Sequence, residues 1–127
     1  MNNPYKAYKQ QSILTMTPGD MLTALYDGIL KEVAVAKDAF AQNNIPGINR
    51  SLIKIQRILY HLQSTLDFQY EVANSLNALY DYFIYLATQA NVKKDPAGLD
   101  ELASMINELK LVYIDADKKS RTAQAVG

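Results

Sequence analysis

Large apolar residues recur at intervals of three and four along most of the chain, which is the spacing of one face of an α-helix. The first two stripes are Leu22, Leu25, Ile29, Val33, Ala36 and Phe40, and then Ile48, Leu52, Ile55, Leu59, Leu62 and Leu66. The last two are Val72, Leu76, Leu79, Phe83, Leu86 and Ala90, and then Leu99, Leu102, Ile106, Leu109, Tyr113 and Ala116. No stretch sustains the apolar–polar alternation of a β-strand. The pattern predicts four amphipathic helices and no sheet.

Prolines mark where the helices begin. Thr17-Pro18-Gly19-Asp20 offers a capping hydroxyl, a proline at the first helical position and an acid in the first turn, and Asp95-Pro96 repeats the cap-plus-proline pattern. Four helices with short connections pack as antiparallel neighbours. We therefore predict an all-α fold, an antiparallel up-and-down four-helix bundle over residues 17–127, with an N-terminal arm at residues 1–16. Residues 118–127 are expected to fray beyond the bundle.

Composition removes several function classes. The chain carries 13 basic and 13 acidic side chains, so it lacks the positive surplus that neutralises phosphates, and no nucleic-acid partner is expected. Without cysteine it can form neither a disulfide nor a thiolate metal site. The first residues lack the apolar core of a secretory signal, and the most apolar stretch, Leu79 to Ala87, is too short to cross a bilayer. We expect a cytoplasmic protein without membrane insertion.

His61 is the only histidine, so any catalytic or metal site that needs a histidine would have to use it. Bundles that hold two metal ions use Glu-x-x-His pairs, but Ile58 stands where the acid would be, so neither a metal nor a cofactor is expected. Ser64 lies one turn beyond His61, yet no third triad member or oxyanion-hole turn accompanies it. We predict that the protein is not an enzyme.

One alternative function uses His61 directly. Histidine phosphotransfer domains are four-helix bundles of this size, and they present an exposed histidine followed by a lysine that helps to hold the phosphate. In this chain Gln63 stands where that lysine would be. Leu62, next to His61, belongs to the core stripe, which favours a boundary position for the histidine. Phosphotransfer therefore stays as the alternative hypothesis.

Apolar side chains also lie outside the four stripes. These are Tyr80, Tyr82, Ile84 and Tyr85 on the third helix, Ile53, Ile58 and Tyr60 on the second, and Leu111 and Ile114 on the fourth. A helix that is apolar all round is either central or covered by another molecule, and a four-helix bundle has no central helix. The simpler interpretation places the tyrosines along helix boundaries with their hydroxyls in water. Because contiguous exposed apolar patches mark binding surfaces, we predict a groove for an amphipathic helix of a partner.

The partner-binding surface predicted on the helices consists of Ile53, Ile58, Tyr80, Tyr82, Ile84 and Tyr85. The N-terminal arm adds Tyr5, Tyr8 and Ile13, since with Leu14 and Met16 it is too apolar for a solvated tail. We predict that the arm folds over the groove when no partner is present and yields when one arrives. The alternative is that the arm packs permanently as part of the core.

Several short motifs occur in a fixed order along the chain. They are Asn3-Pro4-Tyr5, Leu25-Tyr26-Asp27-Gly28, Ser64-Thr65-Leu66-Asp67, Ala73-Asn74-Ser75-Leu76, Leu79-Tyr80-Asp81-Tyr82 and Gln89-Ala90-Asn91-Val92-Lys93-Lys94-Asp95. Together they resemble the flagellar export chaperone family FliS. The chain departs from the family at Phe68-Gln69-Tyr70-Glu71, where many members have a glycine-containing corner, and at Tyr113, which replaces the usual tryptophan.

The resemblance implies a four-helix bundle in the cytoplasm that binds the C-terminal region of flagellin. Family members keep that region from polymerising prematurely and help to deliver it to the flagellar type III export apparatus. By similarity, Tyr5 and Tyr8 match positions associated with partner binding and with a movable cap. A monomer or a weak homodimer is expected.

Overall fold

The computed structural model of the protein describes residues 18–126, without the side chains of Pro18, Asp117 and 120–126. The helices in this range are α1 (Pro18–Ala41), α2 (Ile45–Ser64), α3 (Glu71–Lys93) and α4 (Leu99–Val126), and a 3₁₀ turn, Pro96–Gly98, precedes α4. The described range contains no strand, and the predicted all-α four-helix bundle is confirmed. The predicted arm (1–16) and the predicted capping residue Thr17 lie outside the described residues.

Left-handed residues reverse the chain at two of the three corners. Asn43, with φ of 53°, follows α1, and the Asn44 side chain then caps α2 by accepting a 3.1 Å hydrogen bond from the backbone N–H of Gly47. Lys94, with φ of 51°, closes α3, and Asp95 caps the 3₁₀ turn in the same way. These tight corners bring consecutive helices side by side in opposite directions.

Each helix packs against the helices that precede and follow it, and α1 also packs against α4, so the bundle closes. Contacts between α3 and α4 are the sparsest of the four neighbouring pairs. The largest side chains sealed in the core come from all four helices: Tyr26, Ile29, Leu52, Leu59, Tyr80, Phe83, Leu102 and Ile106. In the described range no helix is both long enough and apolar enough to span a membrane.

Two residues assigned to the predicted stripes are exposed instead. Val72 lies in the first turn of α3, and Ala116 lies far along α4.

Helix α4 continues to Val126. The expectation that residues 118–127 fray beyond the bundle stays a prediction. Leu111 and Ile114, predicted as surplus apolar surface, are exposed. The stretch of α4 around these two residues therefore presents apolar side chains, near the end of the bundle where α1 begins.

Candidate functional site

The structure separates the partner-binding residues predicted on α2 and α3. Ile53 and Tyr85 are exposed, as expected. Ile58 and Ile84 are half-buried and pack against the core. The prediction of an exposed Tyr80 is wrong, since its side chain is 1% exposed. The core face of α3 keeps Phe83, Leu86 and Ala90 of the predicted stripe but is rotated towards Tyr80 and Ala87, and this rotation turns Tyr80 inward.

Tyr80 forms a buried hydroxyl pair with Tyr26. Their hydroxyl oxygens lie 2.7 Å apart, and this hydrogen bond joins α1 to α3 across the centre of the bundle. Burial raises the pKa of both phenols, so both keep their protons at neutral pH. Tyr26 also packs against the ring of Tyr113, with 6.0 Å between ring centroids. No predicted stripe included Tyr26, although it stands in one of the family motifs.

Polar side chains join α2 to α3 along the outside of the bundle. The Gln56 amide donates a 3.1 Å hydrogen bond to the Thr88 hydroxyl, and two turns away the Gln63 amide donates a 2.7 Å bond to the Asp81 carboxylate. Both bonds belong to one antiparallel register of the two helices. On each helix the two bonded residues are seven positions apart, which is about 10 Å along the helix axis.

Exposed apolar residues alternate with these polar bonds. Ile53 and Tyr60 flank Gln56 on its own face of α2, and Tyr85 and Val92 flank Thr88 on α3. We call these four apolar residues the α2–α3 seam. On each helix the two apolar residues of the seam are seven positions apart. An amphipathic helix with apolar residues at the same spacing matches them. The seam contains Ile53 and Tyr85 of the predicted surface, together with Tyr60 and Val92.

Tyr82 lies on the opposite edge of α3, facing α4. Its hydroxyl donates a 2.6 Å hydrogen bond to the Glu101 carboxylate, and this bond raises the pKa of Tyr82. The Tyr82 ring also stacks near that of Tyr85, with ring centroids 6.3 Å apart. Tyr82, one of the predicted partner-binding residues, thus contacts α4 through its hydroxyl, and its ring remains at the surface.

A cavity of about 230 Å³ opens at the end of the bundle where α2 ends and α3 begins. We call it the end pocket. Its lining is mostly apolar and aromatic, with two polar members, and comprises Leu22, Thr65, Leu66, Asp67, Tyr70, Val72, Ala73, Leu76, Tyr80 and Tyr113. Phe68, Tyr70 and Val72 are all exposed at the same corner, where no other described residue covers them. The sequence analysis missed this site because it assigned most of the lining to core stripes.

The end pocket lies beside the beginning of α1. Leu22, part of its lining, stands one turn after Pro18, so the chain that precedes α1 joins the bundle at the pocket. The predicted partner-binding residues Tyr5, Tyr8 and Ile13 belong to that preceding chain and lie outside the described residues. The exposed aromatic residues Phe68 and Tyr70 are the only feature of the sequence that could have indicated a site at this end of the molecule.

His61 is the histidine around which the sequence analysis weighed acid–base and metal chemistry. Its side chain is exposed in the last turn of α2, rather than at a core boundary as expected. The described residues contain no group of three or more His, Asp or Glu side chains that could hold a metal ion. The α2–α3 seam and the end pocket are both largely apolar surfaces.

Comparison with known proteins gives these surfaces a family context. A sequence model of the family described as "Flagellar protein FliS" matches residues 1–120. The chain belongs to the FliS family. The flagellar secretion chaperone FliS of Bacillus subtilis is 35% identical over 124 residues, covering 95% of this chain and 93% of that protein. The FliS protein of Vibrio cholerae is 31% identical over 135 residues, covering 100% and 99%. The FliS protein of Campylobacter jejuni is 28% identical over 125 residues.

Proposed function

We propose that this member of the FliS family is a cytoplasmic chaperone that binds the C-terminal segment of flagellin, prevents its premature polymerisation and assists its export through the flagellar type III secretion system. The observation that carries the proposal is the end pocket, a largely apolar cavity whose lining residues Tyr70 and Val72 are exposed. The relatives in Bacillus subtilis and Vibrio cholerae are named flagellar secretion chaperones, which supports it.

The proposed mechanism is binding alone. Flagellin ends carry apolar helical faces that favour self-association, and a chaperone that covers them lowers the concentration of free ends by mass action. A segment that becomes ordered on binding loses conformational entropy, which costs a few kcal/mol of binding free energy. It therefore has to bury a large surface. The end pocket and the α2–α3 seam together offer two apolar surfaces on neighbouring parts of the bundle. No cofactor and no catalytic step are needed, and a monomer or weak homodimer suffices.

The N-terminal arm, residues 1–16, has a place in this proposal. It joins α1 beside the end pocket, and its Tyr5, Tyr8 and Ile13 are the apolar side chains suited to such a cavity. We propose that the arm occupies the pocket in the free protein and leaves it when flagellin binds. An arm that competes for the site lowers the apparent affinity by the fraction of molecules whose pocket is open.

Calorimetric titration of the full chain with a flagellin C-terminal segment tests the function. Val72→Glu places a charge on the exposed rim of the end pocket, so we expect binding at least about tenfold weaker. Val35→Glu, at an exposed apolar position on α1 away from both surfaces, is the matched control and should bind like the wild type. Circular dichroism should show both variants folded.

Different results of these titrations contradict different parts of the proposal: the function, the end pocket as the site, or the role of the arm. A wild-type protein that binds the flagellin segment no better than a scrambled peptide contradicts the function. If binding occurs but Val72→Glu matches Val35→Glu, the end pocket is not the site, and Tyr85→Glu then tests the seam. For the arm, Tyr5→Ala with Tyr8→Ala should weaken binding and leave helicity unchanged. Tighter binding would instead show that these tyrosines only compete with flagellin.

A further inference from the structure

A polar cleft of about 260 Å³ opens between α1 and α2, beside the corner that joins them. We call it the α1–α2 cleft. None of its lining residues belongs to the end pocket or to the α2–α3 seam. The cleft lies along the first turns of α2, whereas the end pocket follows the last turn, so most of a helix about 30 Å long separates the two. Both sites can therefore be occupied at the same time.

Small buried residues bring the two helices together at the base of the α1–α2 cleft. Ala39 on α1 and Gly47 on α2 both line it, and a Cβ added to Gly47 would lie 3.3 Å from the Cβ of Ala39. The cleft therefore narrows to contact at its base. A side chain can reach into it from outside, but a polypeptide backbone cannot pass through it.

The Ser51 hydroxyl is buried, lines the cleft and has no hydrogen-bond partner within the described part of the chain. Ser51 is 3% exposed. Among the described residues, no side-chain nitrogen or oxygen is both sealed from solvent and without a hydrogen bond. The Ser51 oxygen is therefore accessible, and the cleft is the space that it borders. A hydroxyl in this position can donate one hydrogen bond and accept others.

The charges that line the cleft balance one another. Glu32, which is 9% exposed, pairs with Lys54 on the opposite wall, with 3.2 Å between Oε1 and Nζ. Nearer the corner, Asp38 and Arg50 also line opposite walls, and neither makes an ion pair with another described residue. A guest of either net charge meets a repelling group as well as an attracting one. A neutral group with both a donor and an acceptor avoids that repulsion.

We propose that the α1–α2 cleft binds the side-chain carboxamide of an Asn or Gln residue on a second polypeptide, at a site separate from the flagellin surfaces. The carboxamide is neutral and carries both an acceptor oxygen and a donor NH₂ group. Its oxygen accepts from the Ser51 hydroxyl. Its NH₂ group donates to Glu32, whose Oε2 atom accepts no hydrogen bond from another described residue.

The size and the rim of the cleft favour a polypeptide side chain as the occupant. Its volume, about 260 Å³, is smaller than the roughly 300–1,000 Å³ typical of small-molecule sites. Asp38 and Arg50 are exposed at the rim, where they can pair with charged residues that flank the Asn or Gln of the partner. A chaperone with flagellin at the end pocket could then present this cleft to another protein.

NMR titration of the isotope-labelled full chain tests the chemistry of the site. The probe is glutamine capped at both ends, N-acetyl-glutamine amide. We expect saturable shifts of the backbone signals of Ala39, Gly47 and Ser51. Capped norleucine has the same backbone amides but no carboxamide side chain, and should give no saturable shift there. Capped glutamate should bind at least about threefold more weakly than capped glutamine, since its charge meets Glu32.

Three results of this titration would overturn the proposal. If capped glutamine produces no saturable shift, the cleft holds water only. If capped norleucine binds as well as capped glutamine, the backbone amides rather than the carboxamide are recognised. If capped glutamate binds as well as capped glutamine, the neutral NH₂ donor has no role.

A pair of matched serine variants tests the residue at the base of the site. Ser51→Ala removes the hydroxyl, and we expect it to bind capped glutamine about threefold to tenfold more weakly than the wild type. Ser104→Ala, at an exposed position on α4 outside the cleft, is the control and should bind like the wild type. Both changes place alanine inside a helix, so both variants should fold. A Ser51→Ala protein that binds as tightly as the control would contradict the proposed contact.

Two further titrations test the source of the carboxamide. Free glutamine adds an ammonium and a carboxylate, and tighter binding of free than of capped glutamine would assign the cleft to an amino acid instead of a polypeptide. Capped glutamine should shift the same signals when the flagellin segment is already bound. Displacement of the probe by that segment would make the cleft part of the flagellin site and overturn the claim of a second partner. A wild-type protein that binds the probe but not flagellin would contradict only the proposed function.

Discussion

Ile58 on α2 fills the space beside Gly28 on α1: a Cβ added to Gly28 would lie 3.5 Å from the Ile58 Cδ1 atom. This is ordinary van der Waals contact rather than a clash. The contact explains why Ile58, which sequence analysis assigned to the partner-binding surface, is half-buried and packs against the core. It also shows that the two helices approach closely at this level without requiring a glycine.

Gly28→Ala is expected to stabilise the fold by about 0.5–1 kcal/mol. Gly28 lies inside α1 with a negative φ, and an alanine there costs less backbone entropy than a glycine. Urea unfolding followed by circular dichroism measures the change. A destabilised variant would mean that α1 and α2 cannot accommodate even one methyl group beside Ile58.

Gly47→Ala should have the opposite effect and lose about 1 kcal/mol. A Cβ at Gly47 would lie 2.6 Å from the Nδ2 atom of Asn44, the residue whose side chain caps α2. Relieving that clash displaces the cap. Asn44→Ala is the matched control. Combining it with Gly47→Ala should cost less than the sum of the two single changes, and strict additivity would argue that the glycine acts by some route other than the cap.

Alkaline pH should destabilise the protein through Tyr26 and Tyr80. Burial raises the pKa of both phenols in the folded state above the unfolded value of about 10. Their contribution is therefore fully present below pH 10. It is lost as the pH rises from the unfolded towards the folded pKa, because the unfolded chain releases the protons first. The free energy of unfolding, measured by urea titration from pH 8 to pH 11, should stay level up to about pH 9 and fall above pH 10, by at most about 1.4 kcal/mol per pH unit for each group.

A matched comparison isolates the buried pair from other groups that titrate at high pH. Tyr60 is exposed, so Tyr60→Phe should leave the alkaline dependence as in the wild type. Replacing both Tyr26 and Tyr80 by phenylalanine should reduce it and leave only the contributions of other phenols with a raised pKa, Tyr82 and Tyr113. A wild-type slope that survives in the double variant would assign the alkaline loss to other side chains.

The phosphotransfer alternative makes a distinct prediction. A small phosphodonor such as acetyl phosphate would place an acid-labile phosphate on His61 if that function were correct. We expect no such label above the level seen with His61→Ala, because the residue that should help to hold the phosphate is Gln63. Stable labelling of the wild type alone would revive the alternative. His61→Ala should also leave the binding of flagellin unchanged, since His61 belongs to neither apolar surface.

The sequence by itself determined the four helices, their approximate bounds and most of the core. Stripes at intervals of three and four place Ile29, Leu52 and Phe83 inward, because any stable packing must bury a continuous apolar face. It also located the cap-and-proline start near Asp95, since this signal depends only on neighbouring residues. Local rules suffice wherever a residue's environment is set by its own helix.

Only the tertiary structure decided how each helix is rotated about its axis. A helix that is apolar on every side could turn any of several faces towards the core, so its sequence does not determine its rotation. In α3, packing against α1 turned Tyr80 inward, where it meets Tyr26. The end pocket is likewise invisible in the sequence, because Leu22, Leu76 and Tyr113 come from three helices and read as core residues in each. Such residues close a core where neighbouring helices extend past them and line a cavity where those helices end. Where the neighbours end relative to one another depends on the register of the packed helices, which the sequence of one helix does not determine.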